Sequence, residues 1–184
     1  MPFEVRHMGS KYPIFSFDFT GAKRGVLPAS YDYLRLEGRM QYRLNLPPIG
    51  YSQLMLEGGK IFGKVPYLLL KLHEGNGTYF YDRYAFSCMN FYEFSSDAWI
   101  SFFYEHHFNG FLLGRVPLLK KLNWREVFVF KGVYGTLSAR NDGSLPNTKA
   151  VMLFPVGMSS VEHPYLETGF GIENIFRLLR VDCI

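Results

Sequence analysis

The sequence predicts an all-β fold, an antiparallel up-and-down meander of long strands that forms part of a transmembrane β-barrel. Three observations support this prediction. Apolar and polar residues alternate with a period of two over long stretches, which is the pattern of strands with two unlike faces. Aromatic residues make up 18% of the 184 residues, a content typical of strands that face lipid. The predicted strands reach the roughly 9 to 11 residues that a tilted membrane strand needs.

The clearest strand covers residues 33–44. Its apolar residues share one face, and the other face carries a row of polar residues: Arg35, Glu37, Arg39, Gln41 and Arg43. This row has two interpretations. It forms the charged wall of a water-filled lumen and selects what enters. Alternatively, it is a solvated face on which neighbouring opposite charges neutralise one another.

Further strands are predicted from alternation and from the turn-forming residues between them. They cover residues 12–20, 51–59, 83–94, 98–108, 125–138 and 167–171. Residues 139–165 are rich in Asn, Gly, Pro and Ser and form the longest loop. We expect this loop at the end of the sheet opposite to the elbows described next.

Two segments, 63–72 and 114–122, share the order Gly, cation, Val, Pro and then a stretch rich in Leu and Lys. We interpret both as short amphipathic elbows at one end of the hairpins, lying at a membrane surface with their cations reaching water. The alternative is a plug packed under the mouth of a barrel or sandwich. Residues 171–180 form a third elbow at the same end. The residues assigned to the membrane-surface elbows are Lys64, Pro66, Lys71, Arg115, Pro117, Lys120, Lys121 and Trp124.

Composition and the sequences of the two chain ends bear on whether the chain binds nucleic acid, crosses a membrane with helices or is a fragment. The formal charge is +4, but the basic residues are spread along the chain, so we predict no nucleic-acid partner. The apolar runs fall far short of the roughly 18 residues of a transmembrane helix. Residues 1–7 lack the features of a signal peptide, and residues 181–184 stop within a new strand. We therefore expect residues 1–184 to be a single partial barrel domain, a fragment without the N-terminal part and the last strand.

The sequence motifs that could indicate catalysis or the binding of phosphate or a metal ion are weak. Residues 58–64 fit the spacing of a phosphate-binding loop, but Val65 stands where Ser or Thr would contact magnesium. Glu105 and His107 share a strand face, whereas His106 points to the other face, so the three cannot form one ligand set. No serine lies in a nucleophile motif. We predict no catalytic, cofactor or metal site.

Four motifs, in order, carry a resemblance to a known family: YFYDRYAF at 79–86, EHHFNGF at 105–111, PLLKKLNWRE at 117–126 and ETGFGIENIF at 167–176. The chain resembles the C-terminal barrel region of an outer-membrane family of unknown function that carries an N-terminal carboxypeptidase-regulatory-like domain. The resemblance implies a barrel distantly similar to surface-antigen barrels, with the elbows on the periplasmic side and residues 139–165 outside the cell. It brings no catalytic residues.

Three hypotheses follow. The first is a fragment of a bacterial outer-membrane barrel whose parent acts in envelope transport or assembly. Its partners would be membrane lipids, the remaining strands of the parent barrel and the outer-membrane assembly machinery. The second is a soluble β-barrel or sandwich that binds a small apolar ligand. The third, for which the residues offer least support, is an envelope enzyme that uses Glu105 and His107.

Overall fold

A computed structural model describes residues 12–25, 30–77, 81–144, 150–161 and 163–184. The chain forms ten strands in this part: β1 Ile14–Ala22, β2 Tyr33–Leu46, β3 Gly50–Gly63, β4 Lys71–Leu72, β5 Phe94–Ser96, β6 Ala98–His107, β7 Arg125–Thr136, β8 Ser159–Ser160, β9 Tyr165–Ile175 and β10 Leu179–Cys183. A one-turn helix, α1, spans Pro117–Lys120. The all-β prediction is thus confirmed. No helix among the described residues is long and apolar enough to cross a membrane.

Seven of the strands form one sheet in the order β1-β2-β3-β6-β7-β9-β10, and each pair of neighbours is antiparallel. The up-and-down meander is therefore confirmed. β2 and β3 make the longest hairpin, paired from Tyr33↔Gly63 to Leu46↔Gly50. Gly50 has φ 111°, and a Cβ there would lie 1.8 Å from the carbonyl oxygen of His107, so the turn requires glycine. In the described part of the chain β1 and β10 are the two edges, and the sheet is not closed.

The connections divide between two ends of the sheet. Residues 47–49, 108–124 and 176–178 lie at one end, which we call the turn end, because Tyr51 pairs with His107 and Arg125 with Glu173. The long connections between β3 and β6 and between β7 and β9 leave the sheet at the other end, the loop end, because Lys60 pairs with Ala98 and Ala98 with Thr136. A small three-stranded sheet, in the order β4-β5-β8, joins the two long connections.

The predicted strand over 83–94 is wrong. This stretch has turns and bends, and only β5 begins at its last residue. Of the alternating residues, Phe86 is buried but Cys88 and Tyr92 are exposed. Phe86 packs instead with Met89, three residues further on, and with Met55, Phe103 and Val133. The backbone of this stretch bonds to side chains of the sheet instead of to a neighbouring strand.

The prediction that the first two elbows share one end is also wrong. The first elbow follows β3 at the loop end, where Val65 and Leu70 are buried with Trp99. The second follows β6 at the turn end and contains the helix α1. Because only one strand of the large sheet separates them, they must lie at opposite ends. The predicted third elbow is strand up to Ile175, followed by a tight turn at the turn end.

Candidate functional site

The sheet has two unlike faces, because side chains alternate along every strand. One face, which we call the charged face, is covered by residues 64–77 and 81–97, and we call these residues the cap. The cap brings Phe86 against Phe103 and Tyr165 of the sheet, with ring centroids 5.1 and 5.6 Å apart. The opposite, apolar face has no such cover among the described residues.

Glu57 is the centre of a first cluster on the charged face and is only 4% exposed. Arg39, its partner on β2, approaches its carboxylate to 2.8 Å, and Lys71 of the cap approaches to 2.5 Å. The indole nitrogen of Trp99 donates a third hydrogen bond of 3.2 Å. Lys71 was predicted to reach a membrane surface, but its ammonium instead pairs with a buried carboxylate inside the fold.

The polar row on β2 lies on this charged face, and each member has a protein partner. Arg35 contacts Glu37 at 2.6 Å, and Arg39 contacts Glu37 at 3.7 Å. Gln41 Nε2 lies 3.7 Å from the Met55 sulfur, and Arg43 stacks 4.1 Å from the Tyr51 ring centroid. Opposite charges therefore compensate one another at Arg35, Glu37 and Arg39.

Glu105 is the centre of a second cluster and is 2% exposed. Arg83 of the cap lies 2.5 Å from one of its carboxylate oxygens, and Arg180 of β10 contacts the other. His107 lies 3.6 Å from the same carboxylate and 3.1 Å from Glu173 on β9. One carboxylate thus joins β6, β10 and the cap.

The cross-strand pair Lys131 and Glu167, on β7 and β9, holds the backbone of the cap. The Lys131 ammonium donates to the carbonyl oxygens of Asp82 and Ala85. The Glu167 carboxylate accepts from the backbone N–H groups of Ser87 and Cys88, both at 2.8 Å. These bonds replace a strand ladder, which explains why residues 83–94 can be buried without being a strand.

Two titratable groups of the cap are affected by burial. Tyr81 lies under the cations of Lys131 and Arg180, at 4.8 and 4.4 Å from its ring centroid. Burial, and then the Glu105 carboxylate, raises the pKa of Tyr81 to about 12. Burial, and then the Lys71 ammonium, lowers the pKa of His73 to about 4. Both side chains are therefore uncharged at neutral pH.

A polar cavity of about 270 Å³ separates part of the cap from the sheet. Arg39, Glu57, Lys71 and His73 line it on the charged side, and Phe86 lines it on the apolar side. Glu57 pairs with Arg39 and Lys71, whereas Glu74 and Asp82, which also line the cavity, make no ion pair with the residues that the structure describes.

Every strand of the large sheet contributes large exposed side chains to the apolar face. They are Phe15, Phe17, Phe19, Leu34, Leu44, Phe62, Ile100, Tyr134, Leu166, Phe170 and Val181. The only charged residues at these alternate strand positions are Lys60 and Glu126, which lie near opposite ends. The central part of this face is therefore continuously apolar.

The other residues assigned to the elbows lie at the two ends. Lys64 is exposed and Pro66 is buried at the loop end. At the turn end Arg115, Pro117, Lys120 and Lys121 are exposed, and Trp124 is half-buried. Arg115 stacks on Phe111, with its guanidinium 4.0 Å from the ring centroid.

The structure also shows where the sequence motifs considered for phosphate, catalysis or metal binding lie. Residues 58–63 are part of β3, so they cannot form a phosphate-binding loop. His106 points to the apolar face and pairs with Ser52, with 2.8 Å between Nδ1 and Oγ. In the part of the chain that the structure describes, no three His, Cys, Asp or Glu side chains are placed to hold a metal ion.

Comparison with known families gives one match. The model for the C-terminal domain of a family of unknown function, DUF5686, matches residues 3–139. The chain belongs to this family. No curated protein and no solved structure matches it.

The matched part of the DUF5686 C-terminal domain contains β1 to β7 and the cap, including Glu57, Arg83 and Glu105. Glu167 and Arg180 lie beyond it. Both the family match and the resemblance found in the sequence identify a C-terminal region of unknown function. The N-terminal regulatory-like domain and the similarity to surface-antigen barrels stay predictions.

Sequence reasoning missed Lys131, Glu167 and Arg180, although one signal was available. Lys131 interrupts the apolar strand β7 between Phe130 and Gly132. A charged residue on the inward face of such a strand requires a partner, because an unpaired buried charge is costly. The partners could not be identified from the sequence, since they lie in β9, β10 and the cap.

Proposed function

We propose that this chain is a section of the wall of a bacterial outer-membrane β-barrel, whose parent acts in envelope transport or assembly. The apolar face would contact lipid, and the charged face with its cap would point into the barrel. One observation supports this most directly. All seven strands expose large apolar side chains on one face while the other face buries Glu57, Glu105 and Lys131.

A soluble protein rarely exposes a continuous apolar surface of this size, because contact with water is unfavourable. Strand length agrees with a membrane location: β2 and β3 have 14 residues each and β6 has 10. Roughly 9 to 11 residues suffice for a tilted strand to cross the bilayer. Barrels of this class join strands by short turns on the periplasmic side and longer loops outside. The turn end is therefore assigned to the periplasm and the loop end to the outside.

The direction of the strands supports the requirement for further strands of the parent barrel. In a sheet of seven antiparallel strands the first and last run the same way, so β1 and β10 could pair directly only in parallel. An all-antiparallel barrel needs an odd number of additional strands, which gives the even total usual in bacterial barrels. Besides these strands, the proposed partners are membrane lipids and the outer-membrane assembly machinery, and nucleic acid is not among them.

We propose no catalytic role. Glu105 and His107 are held by Arg83, Arg180 and Glu173, and both side chains are almost completely buried. Such a cluster stabilises the docked cap and leaves neither group open to a substrate.

A second candidate function, binding of a small apolar ligand, has one observation in its favour. At the loop end a cavity of about 520 Å³ is lined by Tyr67, Leu68, Phe91, Val156 and Met158 together with neighbouring residues. Cavities of this size and character are typical of small-molecule sites. In a barrel it would lie at the outer mouth.

Fractionation of cells that express the full-length parent tests the main proposal. We expect the protein in the outer-membrane fraction, resistant to extraction with alkaline carbonate. Recovery in the soluble fraction with a folded circular dichroism spectrum would contradict it. It would favour the apolar-ligand function, which binding of a fluorescent fatty acid can then test.

A further inference from the structure

A third cavity lies at the turn end, away from the cap. Its volume is about 460 Å³. The connection between β6 and β7 and the turn after β9 form its walls, and its lining includes Lys120, Arg125 and Arg177. Among the residues that the structure describes, no Asp or Glu lines it. The cavity therefore carries charge of one sign.

These three cations differ from Arg83 and Arg180 of the second cluster. Within the described ranges, no carboxylate lies within 4.0 Å of any of them, whereas Arg83 and Arg180 both contact Glu105. Of the two acids nearest in sequence, Glu126 accepts from the N–H of Leu113. Glu173 contacts His107 and is also the cross-strand neighbour of Arg125, whose charge interacts with the Glu173 carboxylate. Arg125 is therefore partly compensated by Glu173, and the charges of Lys120 and Arg177 are left for a group from outside.

The cavity walls are fixed by asparagines. Asn109, Asn123 and Asn174 line the cavity and have φ values of 54°, 54° and 67°, in the left-handed region that asparagine tolerates better than most residues. Asn174 also donates a 2.7 Å hydrogen bond to the carbonyl oxygen of Asn123 and so joins the two walls. The cations therefore project from a braced pair of turns.

Apolar side chains on the same two connections are strongly exposed. Leu112 and Leu122 are 52% and 46% exposed, and Phe176 and Leu178 are 81% and 88% exposed. Trp124, half-buried, lines the cavity. Unpaired cations beside exposed apolar groups and a Trp are typical of protein that lies at the boundary between lipid tails and headgroups.

We infer that this cavity binds the phosphate headgroup of an anionic membrane lipid, with Lys120, Arg125 and Arg177 as its charged contacts. The inference rests on the proposed barrel function, which brings the turn end to a membrane surface. The exposed apolar side chains decide between a lipid and free phosphate, because a free ion needs no apolar surroundings whereas the acyl chains of a lipid do.

Native mass spectrometry of the full-length parent in detergent tests the inference. The protein is mixed with phosphatidylglycerol or with zwitterionic phosphatidylethanolamine, and the lipid retained per protein is measured. Each cation near an anionic surface strengthens binding several-fold. We expect a preference for phosphatidylglycerol that falls on the order of tenfold or more in the triple variant K120Q/R125Q/R177Q.

A control variant, K23Q/K64Q/R140Q, removes the same charge from exposed cations outside the cavity. We expect it to retain the preference, and we expect 10-fold more inorganic phosphate than lipid to compete poorly. An equal loss in the control would mean non-specific attraction and would overturn the site. Full competition by phosphate would overturn the lipid assignment. If the parent is membrane-bound but shows no preference, this inference fails alone; if it is soluble, the proposed function fails first.

Discussion

The two faces of the seven-stranded sheet differ in a way that reverses the usual arrangement of a globular protein. Lys131 and Glu105, on the charged face, are 1% and 2% exposed, whereas Phe17 and Phe170, on the apolar face, are 69% and 68% exposed. In water, charged side chains are rarely buried so completely, and large apolar ones rarely form so wide a surface. The same strands build both faces, since neighbours such as Arg39 and Met40 point in opposite directions.

This difference shows how the cap is held. Polar groups attach it at three places: Lys71 to Glu57, Arg83 to Glu105, and the cap backbone to Lys131 and Glu167. Apolar packing of Phe86 and Met89 fills the space between them. The charged face is thus an internal interface, and the apolar face is the surface left for the surroundings.

The largest expected loss of stability comes from removing the charge of Glu105, the most buried carboxylate on the charged face. The substitution Glu105→Gln leaves the guanidinium groups of Arg83 and Arg180 without their shared partner. Removing one member of a buried ion pair costs about 3–5 kcal/mol. We expect this loss in the free energy of unfolding, measured by guanidinium titration with tryptophan fluorescence.

The matched control is Glu74→Gln, which removes an exposed carboxylate of the cap. Glu74 makes no ion pair with the residues that the structure describes, so we expect a change below about 0.5 kcal/mol. Equal effects of the two substitutions would contradict the view that Glu105 holds the cap to the sheet.

The second prediction tests whether the apolar face contacts lipid or water. In lipid, Phe17→Arg places a charge on the face that contacts hydrocarbon, at a cost of about 2–4 kcal/mol near the bilayer centre. On the opposite face of the same strand, Asp18→Arg places a cation beside Glu37, its cross-strand partner, and should be nearly neutral. Unfolding of each variant from lipid vesicles measures both.

A soluble sheet would respond differently. Phe17 would then be an exposed side chain in water, and its replacement by Arg would change the stability by no more than about 0.5 kcal/mol. Indistinguishable behaviour of Phe17→Arg and Asp18→Arg would therefore argue against a lipid-facing surface.

Much of the fold could be predicted from alternation alone. The strands β2, β3, β6 and β7 are long and have one polar and one apolar face, and the structure contains all four. Residues 83–94 show why alternation also misleads. Phe86 and Met89 are buried in turns, and the backbone bonds that permit this come from Lys131 and Glu167, which a local pattern cannot reveal.

The wrong strand prediction over residues 83–94 explains why the first two elbows are expected at the same end. With an extra strand over 83–94, an even number of strands would separate the two repeated elbows and place them at one end. Because only β6 crosses the sheet between them, the repeat of sequence does not correspond to a repeat of position. The charged row on β2 was identified correctly as a face, but its partners Trp99 and Glu57 depend on the register of β3 and β6.

The smallest of the three expected changes in stability concerns His73, a buried cap residue that is uncharged at neutral pH. His73 is buried, with its Nε2 2.9 Å from Ser96 Oγ, and burial next to the Lys71 ammonium lowers its pKa to about 4. The unfolded chain, with an ordinary histidine pKa of about 6.5, takes up a proton first as the pH falls. Stability from this group is therefore complete above about pH 7 and is lost between pH 6.5 and pH 4. The loss from pH 7 to pH 5 amounts to about 2 kcal/mol.

The variant His73→Gln removes this titration and keeps a polar side chain near Ser96. We expect the unfolding free energy of the variant to fall less than that of the natural protein between pH 7 and pH 5, by about 2 kcal/mol. Other groups contribute equally to both proteins, so the difference isolates His73. Identical pH dependence would mean that His73 becomes charged beside Lys71 in the folded protein, which would contradict its lowered pKa.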